Sequence, residues 1–585
     1  MAQPAELANR YQQLVQGLDA STPPFRAESA VFGSLGAQAS GSSPATRGKA
    51  SIASTLLVVT DLRLDGRGQL TRQLGLAPAS GDAELILACW QRWGADCVDH
   101  LFGDFVFALW CTQTRELWLA RDAFGQRPLF VRRLGSQLAF SSALRPLRML
   151  DAGSQPDPIA IADHLLGLPG DLPRTAWHDI ERVPAGHLCH FGAAGKFDRR
   201  QYFRLQPPAG TDGLSVAQWR EGFRERFNSA ISGRLSAAEP IAATVSGGLD
   251  SSAVVAIASR SLPGRGLHAY AARFPQTLSC DEGQYIDELR SLQGLQIHDL
   301  DASVASPLHT FVEVLPWMDE PVLLQNLHLW ATIYQAAQAD GMHIVLDGHD
   351  GDSALGRTAA SESQAVANPR LLSRTLQHLR TWRNQLRPVQ PVPPPRIPVL
   401  ELLTPQFART TQARERWQIF GVGRCEADAG GMRPRHAWQL TSGYASYATE
   451  RLSSLAHKYA VDPRHPFYDI RLLGWCLALP ADLKQRDGYS RWVLRAELEG
   501  MLPDSIRWRA GKTSLSAQFH RAFGTLDASL VASLLEPRNS ALAEYVDLNK
   551  AQSLWRDYQG KPTGRASTLL WSVATLGVWL RDSQI

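Results

Sequence analysis

The sequence is poor in cysteine, with seven in 585 residues, and the seven are scattered without a CxxC pair. That spacing predicts neither a disulfide framework nor a zinc site. No run of about 18 apolar residues is present, so no membrane span is expected. The N-terminal residues also lack the charged-then-apolar pattern of a secretory signal, and the expected location is the cytoplasm.

The net charge of the sequence is also small. The formal net charge of +4 gives no reason to expect a nucleic-acid partner, although it does not exclude one. With 44% hydrophobic and 20% charged residues, the composition is that of an ordinary globular protein. The length exceeds what one core supports, so two or three domains are expected. We place the main boundary between residues 205 and 206, inside a segment at 202–219 that carries Pro and Gly.

One stretch, IAATVSGGLDSS at 241–252, predicts an anion-binding turn between a buried strand and a helix. Adjacent glycines let the backbone approach a ligand closely, and the free N–H groups that open a helix direct a positive dipole at it. The Gly-Lys-Ser/Thr ending of a Walker loop is missing. The residues predicted to bind the ligand are Val245, Ser246, Gly247, Gly248, Leu249, Asp250, Ser251 and Ser252.

The string SGGLDSS resembles the pyrophosphate-binding loop of the ATP-pyrophosphatase enzymes, which split ATP into AMP and pyrophosphate to adenylate a substrate. The resemblance implies that ATP binds here. The segments that follow alternate between strand and helix patterns, and this order predicts an α/β fold with a doubly wound parallel sheet. A helix is expected over 319–341.

A second loop, DGHDGD at 347–352, follows a predicted strand at 342–346. Ligands of such sheets collect at the carboxyl ends of the strands, so Asp250 and Asp352 should face one crevice. Carboxylate oxygens suit Mg²⁺ bridging phosphates, and we predict that these two aspartates hold Mg²⁺ on ATP. Asp347 and Gly348 are predicted to contact the nucleotide as well. The alternative is that the second loop is an ordinary turn.

The first domain carries GDFVFALW at 103–110 and ARDAFGQRPL at 120–129. These strings resemble the glutaminase-like, Ntn-type domain of asparagine synthetases, in which a cysteine at the mature N-terminus attacks the amide. Here position 2 is Ala2, and the first cysteine is Cys89. The resemblance therefore implies an α/β sandwich over 1–205 that lacks its nucleophile and serves as a structural or substrate-docking platform.

Three C-terminal strings also resemble the synthetase domain of the asparagine synthetase family: RHPFYD at 464–469, LRA at 494–496 and LPDSIRWR at 502–509, three residues before Lys512. In that family the last motif supplies a lysine to the active site, which implies a catalytic role for Lys512. The alternative is a surface lysine in a salt bridge. The Pro-rich segment 387–399 is interpreted as a spacer, with a partner-binding arm as the alternative.

Family members activate a carboxylate with ATP and let an amine attack the acyl-adenylate. Branches without the cysteine include β-lactam synthetases and lasso-peptide macrolactam cyclases, whose amine belongs to the substrate. The missing nucleophile, the length and the HDGD and RDGYSRW regions resemble the cyclases most. The implied substrate is a leader-cleaved precursor peptide with an Asp or Glu acceptor, and a leader peptidase is the implied partner. A β-lactam-type or other glutamine-independent amide ligase is the alternative, and a catalytically silent scaffold and a tRNA-modifying pyrophosphatase are weaker ones.

His349 lies three residues before Asp352, where the resembled synthetases carry other groups. An imidazole with a pKa near its usual 6.5 can take a proton from an ammonium group at neutral pH. We predict that His349 helps to deprotonate the attacking amine or orients the group that does. The alternative is that it supports the neighbouring aspartates.

Overall fold

The computed structural model describes the backbone of residues 25–27, 30–32 and 50–53, and then residues 55–356, 398–420 and 432–583, apart from 136, 152, 171–172, 193–194, 237–238, 263 and 538–539. Ala2, nearly all of the Gly/Ser-rich segment 34–51 and all but the last two residues of the Pro-rich segment lie outside the described residues. The expectations for those segments stay predictions.

The first part of the chain forms antiparallel sheets. Strands β3 to β6, β10 and β11 make a six-stranded sheet in the order β11-β10-β6-β5-β4-β3, β7 to β9 make a three-stranded sheet in the order β8-β7-β9, and β1 pairs with β2. The bounds are β1 Phe25–Ala27, β2 Ala30–Phe32, β3 Ala50–Ala53, β4 Leu56–Leu64, β5 Gly103–Cys111, β6 Glu116–Arg121, β7 Phe130–Leu134, β8 Gln137–Ser141, β9 Ile180–Arg182, β10 His187–Phe191 and β11 Phe197–Gln201.

The second part contains a five-stranded sheet in the order β14-β13-β12-β15-β16, and every pairing in it is parallel. A short antiparallel hairpin of β17 and β18 lies within the C-terminal third of the chain. The bounds are β12 Ile241–Thr244, β13 Leu267–Arg273, β14 Leu295–Asp301, β15 Ile344–Leu346, β16 Asp462–Arg464, β17 Gln485–Arg486 and β18 Tyr489–Ser490.

Helices connect these strands and make up most of the C-terminal part. They are α1 Arg67–Gln73, α2 Asp82–Trp93, α3 Leu144–Arg148, α4 Pro158–Leu166, α5 Val216–Ser232, α6 Leu249–Arg260, α7 Gly283–Leu289, α8 Pro307–Met318, α9 Leu327–Ala339, α10 Gly351–Ala354, α11 Pro398–Leu402, α12 Pro405–Thr410, α13 Ala413–Phe420, α14 Met432–Thr441, α15 Tyr444–Lys458, α16 Ile470–Ala478, α17 Ala481–Lys484, α18 Trp492–Glu497, α19 Asp504–Arg507, α20 Ser516–Arg521, α21 Ala528–Leu534, α22 Ser540–Ala543, α23 Leu548–Gly560 and α24 Gly564–Asp582. Shorter turns of helix cover Gly94–His100, Pro466–Tyr468 and Ala522–Leu526.

Successive residues of a strand point to opposite sides of the sheet. In β12, the central strand of the parallel sheet, both sides are buried. On β12, Ala242 joins the core that contains α8 and α9, whereas Ile241 and Ala243 join the core that contains α5 and α6. All four residues of β12 are buried, as expected for a strand that is covered on both faces. The predicted doubly wound parallel sheet is therefore confirmed.

One helix is shorter than its sequence pattern predicts. The helix expected over 319–341 begins only at Leu327, and residues 319–326 form a loop. Tertiary contacts account for the loop: Glu320 accepts hydrogen bonds from Arg182 and Arg451, and the Leu323 N–H donates to the Tyr447 hydroxyl. Within the described residues, no helix is long and apolar enough to span a membrane.

Candidate active site

The glycine turn after β12 has the conformation that the sequence predicts. Gly247 adopts φ 65°, and a Cβ there would approach the Tyr285 Cβ to 2.8 Å, so a side chain fits neither the backbone nor the space. Gly248 is the N-cap of α6 and supplies no side-chain acceptor to the helix. The first N–H groups of this twelve-residue helix thus begin directly at the turn, at the carboxyl end of the strand.

The second loop packs directly on the start of α6. A Cβ on Gly348 would lie 2.5 Å from the backbone nitrogen of Ser251, and one on Gly351 would lie 2.5 Å from the carboxyl carbon of Asp250. Only glycine permits this approach at both positions. The two loops that follow β12 and β15, which are neighbours in the sheet, therefore form one wall of a crevice.

Asp250 and Asp352 are brought together by an arginine that the sequence interpretation did not assign. Nη1 of Arg491 donates to Asp250 Oδ2 at 2.6 Å and to Asp352 Oδ1 at 2.5 Å. Arg491 follows the β17–β18 hairpin and is the N-cap of α18, with φ 55°. Burial, reinforced by the nearby Asp352 and opposed by Arg491, raises the pKa of Asp250.

The pair of aspartates fits a divalent cation that shares its coordination with phosphate. Asp250 Oδ1 is buried and has no hydrogen-bond partner among the described residues. No cluster of three or more His, Cys, Asp or Glu side chains suited to a metal occurs in the part of the chain that the structure describes. Mg²⁺ is commonly held by one or two carboxylates together with substrate phosphates, and the donor set is of this kind.

Lys512 lies at the open side of the crevice. Its Nζ is 3.4 Å from Asp352 Oδ2, and its side chain is 76% exposed. The segment that carries it is tied to the glycine turn through Arg509, which donates to the Gly247 carbonyl at 3.2 Å and to the Thr513 hydroxyl at 2.5 Å and also pairs with Glu282. The ammonium group is thus anchored near the turn and remains accessible to a ligand.

His349 lies in the second loop beside three aromatic side chains. Its ring centroid is 6.1 Å from that of Trp330, 5.9 Å from that of His465 and 6.2 Å from that of Tyr468. Nε2 is buried without a hydrogen-bond partner among the described residues, and the nearest carboxylate oxygen, Asp350 Oδ2, is 3.8 Å away. The ring therefore has one nitrogen available to exchange a proton with a ligand.

The RHPFYD string holds this second loop in place. His465 Nδ1 lies 2.8 Å from Asp347 Oδ2, and the Tyr468 hydroxyl donates to Asp350. Asp347 is fully buried, and its other oxygen accepts from the backbone N–H of His349 at 3.0 Å. Its carboxylate thus shapes the loop, and its predicted nucleotide contact stays a prediction.

The predicted site residues accordingly lie in two adjoining loops and one facing segment. Asp250, Asp352 and Lys512 lie together where the two loops meet. Val245, Leu249 and Ser252 are buried, and the ligand contacts predicted for the turn residues stay predictions. The sequence interpretation missed Arg491, Arg509, His465 and Tyr468. All four lie in strings already linked to the family, which were the available signal: His465 and Tyr468 in RHPFYD, Arg491 in RDGYSRW and Arg509 in LPDSIRWR.

The ARDAFGQRPL string forms an interface with the second part of the chain. Asp122 accepts the backbone N–H groups of Phe124, Gln126 and Arg127 and so folds the string into a turn. Arg127 then donates to Asp462 at 2.6 Å, and Arg121 donates to Glu450 at 2.7 Å. These ion pairs join the six-stranded sheet to β16 and α15.

The described residues combine a parallel sheet, in which a glycine turn opens a helix, with a separate set of antiparallel sheets. The sequence profile of the asparagine synthase family matches residues 222–581, and that of a glutamine amidotransferase domain matches residues 67–203. The chain belongs to the asparagine synthase family, whose members are ATP-dependent ligases that typically use Mg²⁺. The first domain has the Ntn-type amidotransferase-like fold.

Curated relatives agree with this family. "Asparagine synthetase [glutamine-hydrolyzing] 3" of Bacillus subtilis is 24% identical over 74% of this chain and 70% of its own length. "Amidase chry2" of Gibberella zeae is 24% identical over 50% of this chain and 45% of its own length. A putative glutamine-hydrolyzing asparagine synthetase of Mycobacterium bovis is 30% identical over 34% of this chain and 32% of its own length.

Proposed function

We propose that the protein is a lasso-peptide cyclase. In this proposal it adenylates the side-chain carboxylate of an Asp or Glu in a leader-cleaved precursor peptide, and the peptide's N-terminal amine then closes the macrolactam ring. The observation that carries the proposal is the composition of the crevice. A glycine turn at the start of a helix, two aspartates and an accessible lysine lie together, and the second loop also carries an imidazole whose Nε2 has no partner among the described residues.

The first step would be adenylation. An oxygen of the substrate carboxylate attacks the α-phosphorus of ATP, the bond to the β-phosphate bridging oxygen breaks, and pyrophosphate leaves. The N–H groups at the start of α6 would bind the phosphates, and Asp250 and Asp352 would hold Mg²⁺. The metal, when bound, offsets charge that develops on the leaving pyrophosphate.

The second step would be amide formation. The amine nitrogen attacks the acyl carbon, the carbon–oxygen bond to AMP breaks, and one proton leaves the nitrogen. His349 Nε2 would accept that proton, because it is buried at the crevice and has no other partner among the described residues. Lys512 would stabilise the developing oxyanion and the departing phosphate as a mobile point charge.

The amine is proposed to come from the substrate and not from glutamine. In the described part of the first domain Cys89, Cys97 and Cys189 are buried, and burial raises the pKa of each thiol, so none of these three is suited to attack an amide. Cys111 is only partly buried; burial raises the pKa of its thiol, but hydrogen bonds from Thr114 and Gln113 outweigh burial and lower it, so the glutamine dependence measured below also tests this thiol.

Reconstitution tests the proposal. The purified full-length chain is incubated with ATP, Mg²⁺ and a synthetic peptide whose sequence comes from a short open reading frame beside its gene. The expected product has the peptide's mass less one water, with one AMP and one pyrophosphate released per product. The same peptide with an acetylated N-terminus should give no cyclic product. Amide formation that requires glutamine or ammonia would contradict the proposal.

The neighbouring genes separate this proposal from its alternative, a β-lactam-type or other glutamine-independent amide ligase. A lasso cyclase would act after a leader peptidase, so genes for a precursor peptide and such a peptidase should lie next to this one. A small amino-acid derivative converted to a cyclic amide in the same assay would favour the alternative.

A further inference from the structure

Arg491 has contacts that link the metal site to the phosphates. Its guanidinium binds both predicted metal ligands through the single nitrogen Nη1, with distances of 2.6 and 2.5 Å to Asp250 and Asp352. That nitrogen therefore occupies the space between the two carboxylates in which a cation shared by them would lie. The side chains of Arg491 and of both aspartates are largely buried, so solvent screens the interaction only weakly.

We infer that Arg491 is a competing cation that makes the site select the metal–nucleotide complex over the free metal ion. A free divalent ion would have to displace the guanidinium and leave it buried without a partner, which is costly. A metal ion that arrives with a polyphosphate brings such a partner, because guanidinium donors match phosphate oxygens. Arg491 would then be transferred from the carboxylates to the phosphates. This inference rests on the nucleotide site of the proposed function.

The position of Arg491 in the chain suits such a transfer. It directly follows the two-residue strands of the β17–β18 hairpin, whose turn contains Asp487 and Gly488 with φ values of 53° and 82°. Apart from the two aspartates, the structure assigns its side chain no other hydrogen-bond partner among the described residues. Among the described residues, the guanidinium is thus hydrogen-bonded only to the two carboxylates that a metal ion would bind.

Manganese binding to the nucleotide-free, full-length protein tests the inference without turnover. Free Mn²⁺ is measured by electron paramagnetic resonance for the wild type and for Arg491→Gln. The Gln variant should bind Mn²⁺ about tenfold more tightly, within the usual range of coupling between two sites. Arg486→Gln on the same hairpin is the matched control, because Arg486 pairs with Asp482 and lies over Trp492, and its Mn²⁺ affinity should equal that of the wild type. An unchanged affinity in Arg491→Gln would overturn the inference.

A second measurement uses the wild-type protein, in case the Gln variant does not fold. Hydrogen exchange of the backbone amides in 485–491 should change when Mg²⁺ and a non-hydrolysable ATP analogue are added together, since the guanidinium exchanges its two carboxylate partners for phosphate. Mg²⁺ alone should leave exchange there unchanged, and an equal response to Mg²⁺ alone would contradict the inference. Neither experiment contains a peptide, so failure of the cyclase proposal would not alter these outcomes.

Discussion

The buried polar groups at the interface between the two domains and those in the crevice differ in their hydrogen bonding. At the domain interface, both carboxylate oxygens of the buried Glu450 accept hydrogen bonds from arginines, namely Arg121 and Arg182. In the crevice, by contrast, Asp250 Oδ1 and His349 Nε2 are buried without partners among the described residues. Buried atoms without a partner are candidates for contacts with a ligand. Such atoms also occur at the interface, at Arg127 Nε and Asp319 Oδ1, so the comparison concerns Glu450 and these two crevice atoms alone.

The largest expected effect is the loss of adenylation in the crevice. Asp250→Ala should reduce the exchange of labelled pyrophosphate into ATP by about 10³-fold, because charge on the leaving group is no longer offset. Asp287→Ala, a change to an exposed residue of α7, is the control and should behave as the wild type. Wild-type exchange in Asp250→Ala would place the metal elsewhere.

Substitutions at the interface between the two domains should lower the stability of the fold instead of the activity. Glu450→Ala leaves Arg121 buried without a carboxylate partner and removes one of the two carboxylates of Arg182, which keeps Glu320. We expect the free energy of unfolding to fall by about 3–5 kcal/mol. Asp482→Ala, which breaks the exposed pair with Arg486, should cost about 0–1 kcal/mol. Thermal unfolding checks both values. Equal shifts in the two variants would mean that the interface pairs are not structural.

The pH dependence of stability sharpens this point. Burial alone would raise the pKa of Glu450, but Arg182 and Arg121 outweigh it and lower that pKa from 4.5 to about 2. A lowered folded-state pKa gives stability that is present above pH 4.5 and lost as the pH falls towards about 2. Unfolding midpoints of the wild type should therefore fall over this window more steeply than those of Glu450→Gln.

His349 should affect only the second half-reaction. His349→Ala is expected to retain pyrophosphate exchange in the presence of the peptide, yet to lower ring closure by about 10³-fold through loss of the proton acceptor. His349→Gln should behave alike if proton transfer is what matters. Loss of both half-reactions in the Ala variant would assign His349 to ATP or metal binding instead.

Lys512→Ala should give the smallest effect of these site variants, because the Lys512 side chain is exposed and contacts one carboxylate, that of Asp352. Lys512→Ala is expected to lower cyclisation by about 10²-fold, the scale typical of losing one group that stabilises an oxyanion. Lys550→Ala removes an exposed lysine paired with Asp547 and should leave the rate unchanged. Unaltered cyclisation in Lys512→Ala would return it to the class of surface lysines.

The sequence predicts the local parts of this site well. The glycine turn and the DGHDGD loop are contiguous motifs, and the rule that ligands bind at the carboxyl ends of parallel strands brings Asp250 and Asp352 together. Arg491 could not be placed in the same way, because it is 241 positions from Asp250 and reaches the crevice only through tertiary folding. The same holds for the loop at 319–326, where contacts across the domain interface override an apolar pattern with helical spacing.

The Arg127–Asp462 ion pair affects whether the two domains can be expressed separately. Asp462 opens β16, the edge strand of the parallel sheet, and the next residues after that strand include His465 and Tyr468, which hold the second loop. Expression of 206–585 alone would remove Arg127 and Arg121 and expose the carboxylates they cover. The contacts of the first domain with Glu450 and Asp462 therefore predict that 206–585 expressed alone is less stable than the whole chain.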